Sequence, residues 1–397
     1  MKGKHIMARA NRVVVEDGRY HLTTRIANQA HYLEDPAVKD LIVTWIYGIA
    51  DFAGIEVLNW NILDNHLHIQ VHVPCVPEEY ALPGADPTPS AFTMRPAECR
   101  QPRWTPDVTD VPAPVTAAGE CPSAEAVARA IADGVPVVRL PRPATGFSLD
   151  DDEMERRLVG LYGAKRAKSI VRRWQRLLAR GCAEKVEEEK DAFCRRMYNV
   201  SLFMKDLKQR ISQHFNEKRG HRGCLWDGRF YSGLVENEPL AKLYTTAYID
   251  WNAPKAGLAE HPSGWKWCSY AVACGDGPYA ERARRGYELA LGCPWPEAKA
   301  KLERVFADRI PDSYDPTKDQ THYTVVDSDG TVRTVALRMA QAIKLSLPAF
   351  RSGGFVSRRV AFVRETYAKL PKRFPGAGER SVAQLAKFDW ELADPAA

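Results

Sequence analysis

The stretch Asp64-Asn65-His66-Leu67-His68-Ile69-Gln70-Val71-His72-Val73 decides how this chain folds. From His66 onward, polar and apolar residues alternate strictly, which is the period of a strand with one buried face. The four apolar residues would supply that buried face, and the polar residues would point the other way, into solvent. His66 and His68 would then share the polar face, roughly 7 Å apart along the strand.

Two imidazoles on one face of a rigid strand can provide two ligands of a divalent-metal site. Taken alone, a His-x-His pair is more typical of a solvated polar face. A second polar pair far along the chain, Tyr248 and Asn252, favours the metal site.

The segments around this stretch predict a small sheet with a helix. Arg19–Ile26 alternates β-branched and aromatic residues, which is typical of a strand. Asp35-Pro36 provides an N-cap and a first helical residue, and Gly54 provides the helix end. Glu56–Leu63 is predicted as a second strand, joined to the histidine strand by the two-residue turn Asp64-Asn65. The predicted order is strand, helix, strand, strand.

Composition limits the class of protein. The chain has 397 residues, 45% of them hydrophobic, and a net charge of +6 that fits a polyanionic partner without requiring one. Its nine cysteines form no Cys-x-x-Cys pair, which argues against a zinc ribbon. The start of the chain lacks an apolar signal core, and the apolar run at 41–54 is interrupted by Asp51 and too short to span a membrane. We expect a cytoplasmic protein that does not enter membranes.

Composition changes after Pro74, and residues 76–190 are predicted to be an insertion. Residues 77–143 are rich in Pro, Ala and Thr, with one candidate helix at 123–133. A basic helical region follows from Arg156 to Arg180. Both a solvated helix face and a nucleic-acid surface are consistent with it. Its cations are Arg156, Arg157, Lys165, Arg166, Lys168, Arg172, Arg173, Arg176 and Arg180.

Basic and aromatic residues alternate in the next part of the chain. Apolar residues from Phe193 to Phe215 recur every three or four positions and predict one long helix, followed by a basic loop and a turn into a strand near Tyr231. Cations beside flat rings suit a nucleic-acid strand, although core aromatics beside solvated charges would give the same pattern. The candidate DNA-binding residues are Lys205, Lys208, Arg210, Lys218, Arg219, Arg222, Trp226 and Arg229.

A further helix is predicted from Asn237, as its N-cap, to about Trp251. It would place Tyr244, Tyr248 and Asn252 on one face, because residues four apart are neighbours on a helix. On this spacing alone, a tyrosine stripe packed on the sheet is the preferred interpretation.

Three motifs together resemble a known family. His66-Leu67-His68 after a short hairpin resembles the His-hydrophobic-His signature of the HUH endonuclease superfamily. Leu225-Trp-Asp-Gly-Arg-Phe230 and Tyr248-Ile-Asp-Trp-Asn252 are similar to segments of the single-tyrosine insertion-sequence transposases, and most similar to the REP-associated tyrosine transposases. The resemblance covers roughly residues 12–75 and 196–275.

The resemblance implies an α+β fold, with an antiparallel sheet and helices packed on it, and often a homodimer. Its core would comprise residues 12–75 and 191–275, and residues 276–397 would form a mainly helical C-terminal extension. Tyr248 would be the nucleophile, and His66, His68 and Asn252 would bind Mg²⁺ or Mn²⁺. The substrate would be single-stranded or hairpin DNA, held through a 5′-phosphotyrosine. A regulator that binds DNA without cleaving it is the alternative.

This chemistry has a physical basis. A phenol titrates near pH 10, so at pH 7 only about one in a thousand is ionised, a deficit of roughly 4 kcal/mol. A divalent metal that coordinates the scissile phosphate can stabilise the charge that develops on it. Imidazole ligands suit Mn²⁺ better than Mg²⁺.

Overall fold

The computed structural model describes residues 15–81, 147–220 and 222–308, together with 322–326, 330–336, 351–352, 355–356, 362 and 365–366. The chain divides into two compact units. The first comprises Met1–Cys75, Asp150–Ala183 and Arg196–Ala397, and the second comprises Val76–Leu149 and Glu184–Arg195.

The first unit is built on a sheet with strand order β2-β3-β1-β4-β8-β7. Its strands are β1 (Gly18–Arg25), β2 (Glu56–Ile62), β3 (His66–Val73), β4 (Tyr231–Val235), β7 (Arg351–Ser352) and β8 (Phe355–Val356). The first four strands pair antiparallel, and β8 runs parallel to β4. The predicted α+β class with an antiparallel sheet is therefore confirmed, and the histidine strand β3 lies inside the sheet.

The α-helices of the described chain are distributed over both of its units. They are α1 (Pro36–Ala53), α2 (Asp151–Tyr162), α3 (Ala164–Ala179), α4 (Ala183–Cys194), α5 (Val200–Arg219), α6 (Pro239–Asp250), α7 (Asn252–Lys255), α8 (Ser269–Cys274), α9 (Ala280–Leu291) and α10 (Trp295–Ala307). Within the described residues, no helix is long and apolar enough to cross a membrane.

Helix α1 packs on the apolar face of the sheet, as its sequence signals predict. The Asp35 carboxylate accepts a hydrogen bond from the Ala37 amide, and Gly54 ends the helix with a left-handed φ of 64°. The indole NH of Trp60 on β2 donates to the Tyr47 hydroxyl on α1, 3.1 Å away. Trp60 pairs with Ile69 on β3, so both side chains face α1.

Helices α1 and α2 cross at two glycines. A Cβ added at Gly48 would lie 2.4 Å from the Gly160 carbonyl oxygen, and one added at Gly160 would lie 2.8 Å from that of Gly48. Real Cβ atoms do not approach backbone oxygens so closely, so the absence of side chains at both positions is what allows this contact.

The outer edge of β2 is covered rather than left open. The Trp60 amide donates to the Ser269 hydroxyl, and the Ile62 amide donates to the Trp267 carbonyl. Gly286 of α9 lies against the carbonyl of Leu58, since an added Cβ would be 2.4 Å from that oxygen. Covering an edge in this way removes a template for pairing with another chain.

The polar face of β2 and β3 is covered by α6, so the expectation that it faces solvent is wrong. The Asn59 side-chain amide donates to the Thr246 carbonyl, and that of Asn61 donates to the Ile249 carbonyl. The Thr246 hydroxyl donates to the Gln70 side-chain oxygen, 3.1 Å away. Asparagine and glutamine side chains on a strand can form hydrogen bonds with a helix packed over them, so polar residues on a strand do not establish that its face is exposed.

Several predicted boundaries differ from those observed. The long helix expected from Phe193 begins only at α5, where Asn199 is the N-cap. The N-cap of α6 is Glu238 rather than Asn237, because the Glu238 carboxylate accepts from the Ala241 amide. The basic region is two helices separated by Gly163, whose φ is 79°.

The C-terminal extension combines helices and strands in its described part. Helices α9 and α10 agree with the prediction, whereas β5 (His322–Val326) and β6 (Val332–Ala336) form a hairpin that the sequence analysis did not predict. The candidate helix at 123–133 lies outside the described residues.

The second unit contributes few described elements. Glu78–Tyr80 forms a short 3₁₀ turn, and Ala81 pairs with Phe147 in an isolated bridge. Most of α4 also belongs to this unit.

Candidate active site

His68 lies at the centre of the polar face of the sheet and is 3% exposed. Its Nδ1 atom is 2.9 Å from Nε2 of His21 and 3.0 Å from Oγ1 of Thr23, both on the neighbouring strand β1. The register explains the contacts, because Thr23 pairs directly with His68 across the two strands. With Nδ1 engaged in this way, a metal would bind His68 through Nε2.

His66 lies at the start of β3 and is held by its neighbour in the hairpin turn. Its Nδ1 atom is 2.6 Å from Oδ1 of Asn65, an acceptor, so Nδ1 carries the proton and the lone pair lies on Nε2. Burial, with a contribution from the Arg25 charge, lowers the pKa of His66 to about 4. At neutral pH this imidazole is therefore uncharged, as a metal ligand must be.

Tyr248, on α6, contacts two histidines of the sheet. Its ring centroid is 5.8 Å from that of His68 and 5.8 Å from that of His21, with both contacts edge to face. Tyr244, one turn earlier on α6, stacks on Tyr248 at 6.1 Å. The rings of His66, His68 and Tyr248 thus form one cluster, and their roles stay predictions.

Asn252 follows Tyr248 but does not continue the same helix. Helix α6 ends at Asp250, and Asn252 is the first residue of the short helix α7. Its side-chain nitrogen donates to the Tyr248 carbonyl, 2.6 Å away, so this amide caps the end of α6. Thr246 of α6 contacts Gln70, and Ile249, further along the helix, contacts Asn61, which pairs with His68. Helix α6 therefore runs towards the His66 end of β3, and Asn252 follows it in that direction.

The donor set fits a divalent metal in part. Asn65 holds the Nδ1 atom of His66, and His21 and Thr23 hold that of His68, an arrangement in which a metal-binding histidine would use its Nε2 atom. Asn252 has an oxygen to offer, since its hydrogen bonds to the helix carbonyls use its nitrogen. Its role as a ligand stays a prediction.

A second group of potential ligands lies beside the hairpin turn. His31, Glu34 and Asp64 bring one ligand atom each to within 4.8 Å of one another. Asp64 already accepts a hydrogen bond from the buried Lys39 ammonium, 2.6 Å away. That ion pair would compete with a cation for the carboxylate.

His21 is the residue that sequence analysis missed. It is 1% exposed and touches both His68 and Tyr248. A lone histidine in a strand gives no motif, and its position beside His68 depends on which strands pair. The alternation of His21, Thr23 and Arg25 within β1 was the available signal, because it places all three on one face.

Positive charge lies at the His66 end of the sheet. Arg25 pairs with His66 across β1 and β3, and its side chain is exposed. The loop before β4 reaches the same end, where Ile26 forms a bridge with Trp226 and the Asp227 amide donates to the Arg25 carbonyl. Arg229, in that loop, is exposed.

Trp226 is buried at 7% exposure, and its ring packs against α5. Its indole NH donates to the Ser212 hydroxyl, 2.7 Å away, and the Lys208 ammonium lies 5.2 Å from its ring centroid. Lys208 also donates to the Gly228 carbonyl. In this position Trp226 has little surface to offer a base, and it helps to place Lys208.

The other candidate DNA-binding residues are spread over α5 and the following loop. Arg210 is half-buried, donates to the Leu161 carbonyl and lines a cavity of about 450 Å³ between α1, α2 and α5. Lys218 pairs with Asp35, and the Arg219 guanidinium lies over the Tyr32 ring. The exposed members of the set are Lys205, Lys218, Arg219, Arg222 and Arg229.

Asp250 is a buried carboxyl beneath the end of α6. It accepts hydrogen bonds from Asn59, at 3.1 Å, and from the Tyr287 hydroxyl, at 2.8 Å. Burial raises the pKa of Asp250 to about 7, against the opposing effect of these donors. Asp250 therefore joins α6 to both β2 and α9.

No protein-family model matches the chain, and no curated protein matches it. Among solved structures, it is similar to the REP-associated tyrosine transposase bound to a REP hairpin, with a TM-score of 0.31 and 11% identity over 68% of this chain and 86% of that one. A TM-score this low is consistent with a distant relationship at most and carries no argument about function.

Proposed function

We propose that this protein cleaves and rejoins single-stranded or hairpin DNA, with Tyr248 as the nucleophile. The observation that carries the proposal is the edge-on placement of Tyr248 at 5.8 Å from His68, within a cluster of oriented imidazoles. Core packing requires apolar surface, whereas this cluster places three histidines and two tyrosines together at a helix–sheet interface.

The reaction is an exchange of one phosphate ester for another. The Tyr248 phenol oxygen forms a bond to phosphorus, the bond from phosphorus to the 3′ oxygen breaks, and the phenolic proton is transferred in net terms to the released 3′ hydroxyl. A 5′-phosphotyrosine results, and attack by another 3′ hydroxyl reverses the step. Because ester is exchanged for ester, rejoining requires no nucleotide cofactor.

A divalent cation would be held by His66 and His68, with Asn252 as the proposed third ligand. When bound, it would neutralise charge on the scissile phosphate. Asn65, His21 and Thr23 fix the orientation of the two imidazoles through their Nδ1 atoms. Tyr244 stacks on Tyr248 and would help to orient the nucleophile.

The DNA backbone would approach at the His66 end of the sheet. Arg25 and Arg229 present exposed guanidinium groups there, and Lys208 is held nearby by Trp226 and Gly228. Phosphate contacts of this kind position a strand without reading its sequence. We assign Trp226 to positioning Lys208 rather than to stacking on a base.

Two observations favour the alternative, a regulator that binds DNA without cutting it. Tyr248 is 8% exposed, and the Asn252 amide is engaged with the carbonyls of α6. A binding protein can keep such a cluster as packing, whereas a nuclease must bring the Tyr248 hydroxyl to a phosphate.

The deciding experiment is adduct formation on a short single-stranded oligonucleotide with Mn²⁺ or Mg²⁺. The Tyr248→Phe variant should form no protein–DNA adduct that survives denaturation, because it lacks the attacking oxygen. Tyr244→Phe is the matched control and should form the adduct. An adduct formed by Tyr248→Phe, or lost only in Tyr244→Phe, would refute the assignment. No adduct with wild-type protein, together with retained DNA binding, would establish the regulator.

A further inference from the structure

Seven cations of α3 and its C-terminal residue lie on one side of the helix, and we call them the basic stripe. They are Lys165, Arg166, Lys168, Arg172, Arg173, Arg176 and Arg180, all of them exposed. At 100° per residue they fall within an arc of about 160°, and they extend over about 22 Å of helix rise. No acidic residue occurs between Lys165 and Arg180.

The opposite side of α3 is packed against protein. Ala167 and Trp174 are buried, and α3 packs against α2. The Arg166 guanidinium lies 5.2 Å from the ring centroid of Tyr162 on α2, which fixes one end of the stripe. This packing holds the helix in one orientation, with its cations on the solvent side.

We propose that the basic stripe binds the phosphate backbone of duplex DNA. A basic helix that binds membranes inserts a continuous apolar side, but Trp174 of α3 is buried in the protein and Leu178, 45% exposed, is a single exposed apolar side chain. Single-stranded DNA is held by aromatic rings on which bases stack, and the exposed positions from 165 to 180 carry no aromatic residue. A surface of exposed cations without rings suits the phosphates of a regular double helix.

The stripe and the candidate active site lie on different sides of the sheet. Helix α1 covers the Trp60 face, α2 crosses α1 at Gly48 and Gly160, and α3 packs on α2. Tyr248, a residue of α6, contacts His68 on the other face of the sheet. The stripe would therefore bind DNA outside the reacting strand. This inference rests on the proposed function only in taking the polyanion to be DNA.

The test is a salt titration of binding to a 20-base-pair duplex by the full chain. We compare Arg172→Gln/Arg173→Gln/Arg176→Gln with Arg285→Gln/Lys299→Gln/Arg304→Gln, which removes the same charge from exposed positions of α9 and α10. Glutamine keeps the helix propensity at both sets. Each lost phosphate contact lowers the slope of log affinity against log salt by roughly 0.9, so the stripe variant should lose about 3 from the slope.

At about 0.1 M salt, this change in slope corresponds to a loss of roughly two to three orders of magnitude in the affinity of the stripe variant for the duplex. The affinity of the control variant should change little. Equal slopes for the two variants would overturn the proposal, as would binding of wild-type protein to phosphatidylserine vesicles but not to duplex. The stripe variant should still form the Tyr248 adduct on a short single strand, and Tyr248→Phe should still bind duplex. Failure of one proposal is thus distinguishable from failure of the other.

Discussion

Replacing His21 by leucine tests whether the imidazole cluster is a metal site. The substitution places an apolar side chain of similar size in a position that is 1% exposed, and it removes the contact of His21 with the His68 Nδ1 atom. Thr23 remains, at 3.0 Å. Loss of an outer hydrogen-bond partner of a ligating histidine typically costs 10- to 100-fold in metal affinity, which is about 1.4–2.7 kcal/mol. We expect Mn²⁺ affinity to fall within that range.

The assay is calorimetric titration of Mn²⁺ at neutral pH, where the low pKa of His66 keeps that imidazole uncharged. His72→Gln is the matched control, because it alters an imidazole of the same strand whose hydrogen bonds go to Asp17 and Glu56. Thermal unfolding of both variants shows that the fold persists. Wild-type affinity in His21→Leu, or an equal loss in His72→Gln, would show that the His21 contact does not support a metal ligand.

Two further predictions concern stability. Gly160→Ala should lower the free energy of unfolding by about 1–3 kcal/mol in urea titrations, because the Gly48 carbonyl oxygen would lie 2.8 Å from the new Cβ. Gly277→Ala is the control and should be nearly neutral, because its new Cβ would have nothing within 4 Å. Equal effects of the two substitutions would contradict the close helix crossing. Burial alone would lower the pKa of His72, but hydrogen bonds to Glu56 and Asp17 outweigh it and raise that pKa. Protonated His72 therefore contributes about 1 kcal/mol to the free energy of unfolding below pH 6.5, and this contribution is lost as pH rises through the raised pKa. Between pH 6 and 9, the free energy of unfolding of His72→Gln should not show this decrease.

Much of the fold followed from short-range signals in the sequence. The Asp35-Pro36 start and Gly54 end of α1 are local capping chemistry, and the two-residue turn at Asp64-Asn65 set the β2–β3 pairing. The family resemblance, rather than spacing, implied a shared site for His66, His68 and Tyr248, and their rings lie side by side in the structure.

The rest depended on contacts between distant segments, which periodicity does not encode. Alternation identified the polar face of β3 but could not show that α6 covers it. The amphipathic pattern continued across Tyr198, whose φ of 50° interrupts the helix. The aromatic residue Trp226 fitted a DNA-stacking role in sequence, and only its burial against α5 shows a packing role.

The way α6 is bonded to the sheet determines how precisely the residues of the candidate site are placed. Apolar surfaces can slide past one another at little cost, whereas hydrogen bonds weaken steeply with distance and angle. Asn59 and Asn61 bond to carbonyls of Thr246 and Ile249, nearly one turn apart on α6. A displacement of α6 along its axis would break both bonds at once inside a buried interface. The two asparagines thereby set the axial position of the helix, and with it the distance between Tyr248 and the histidines.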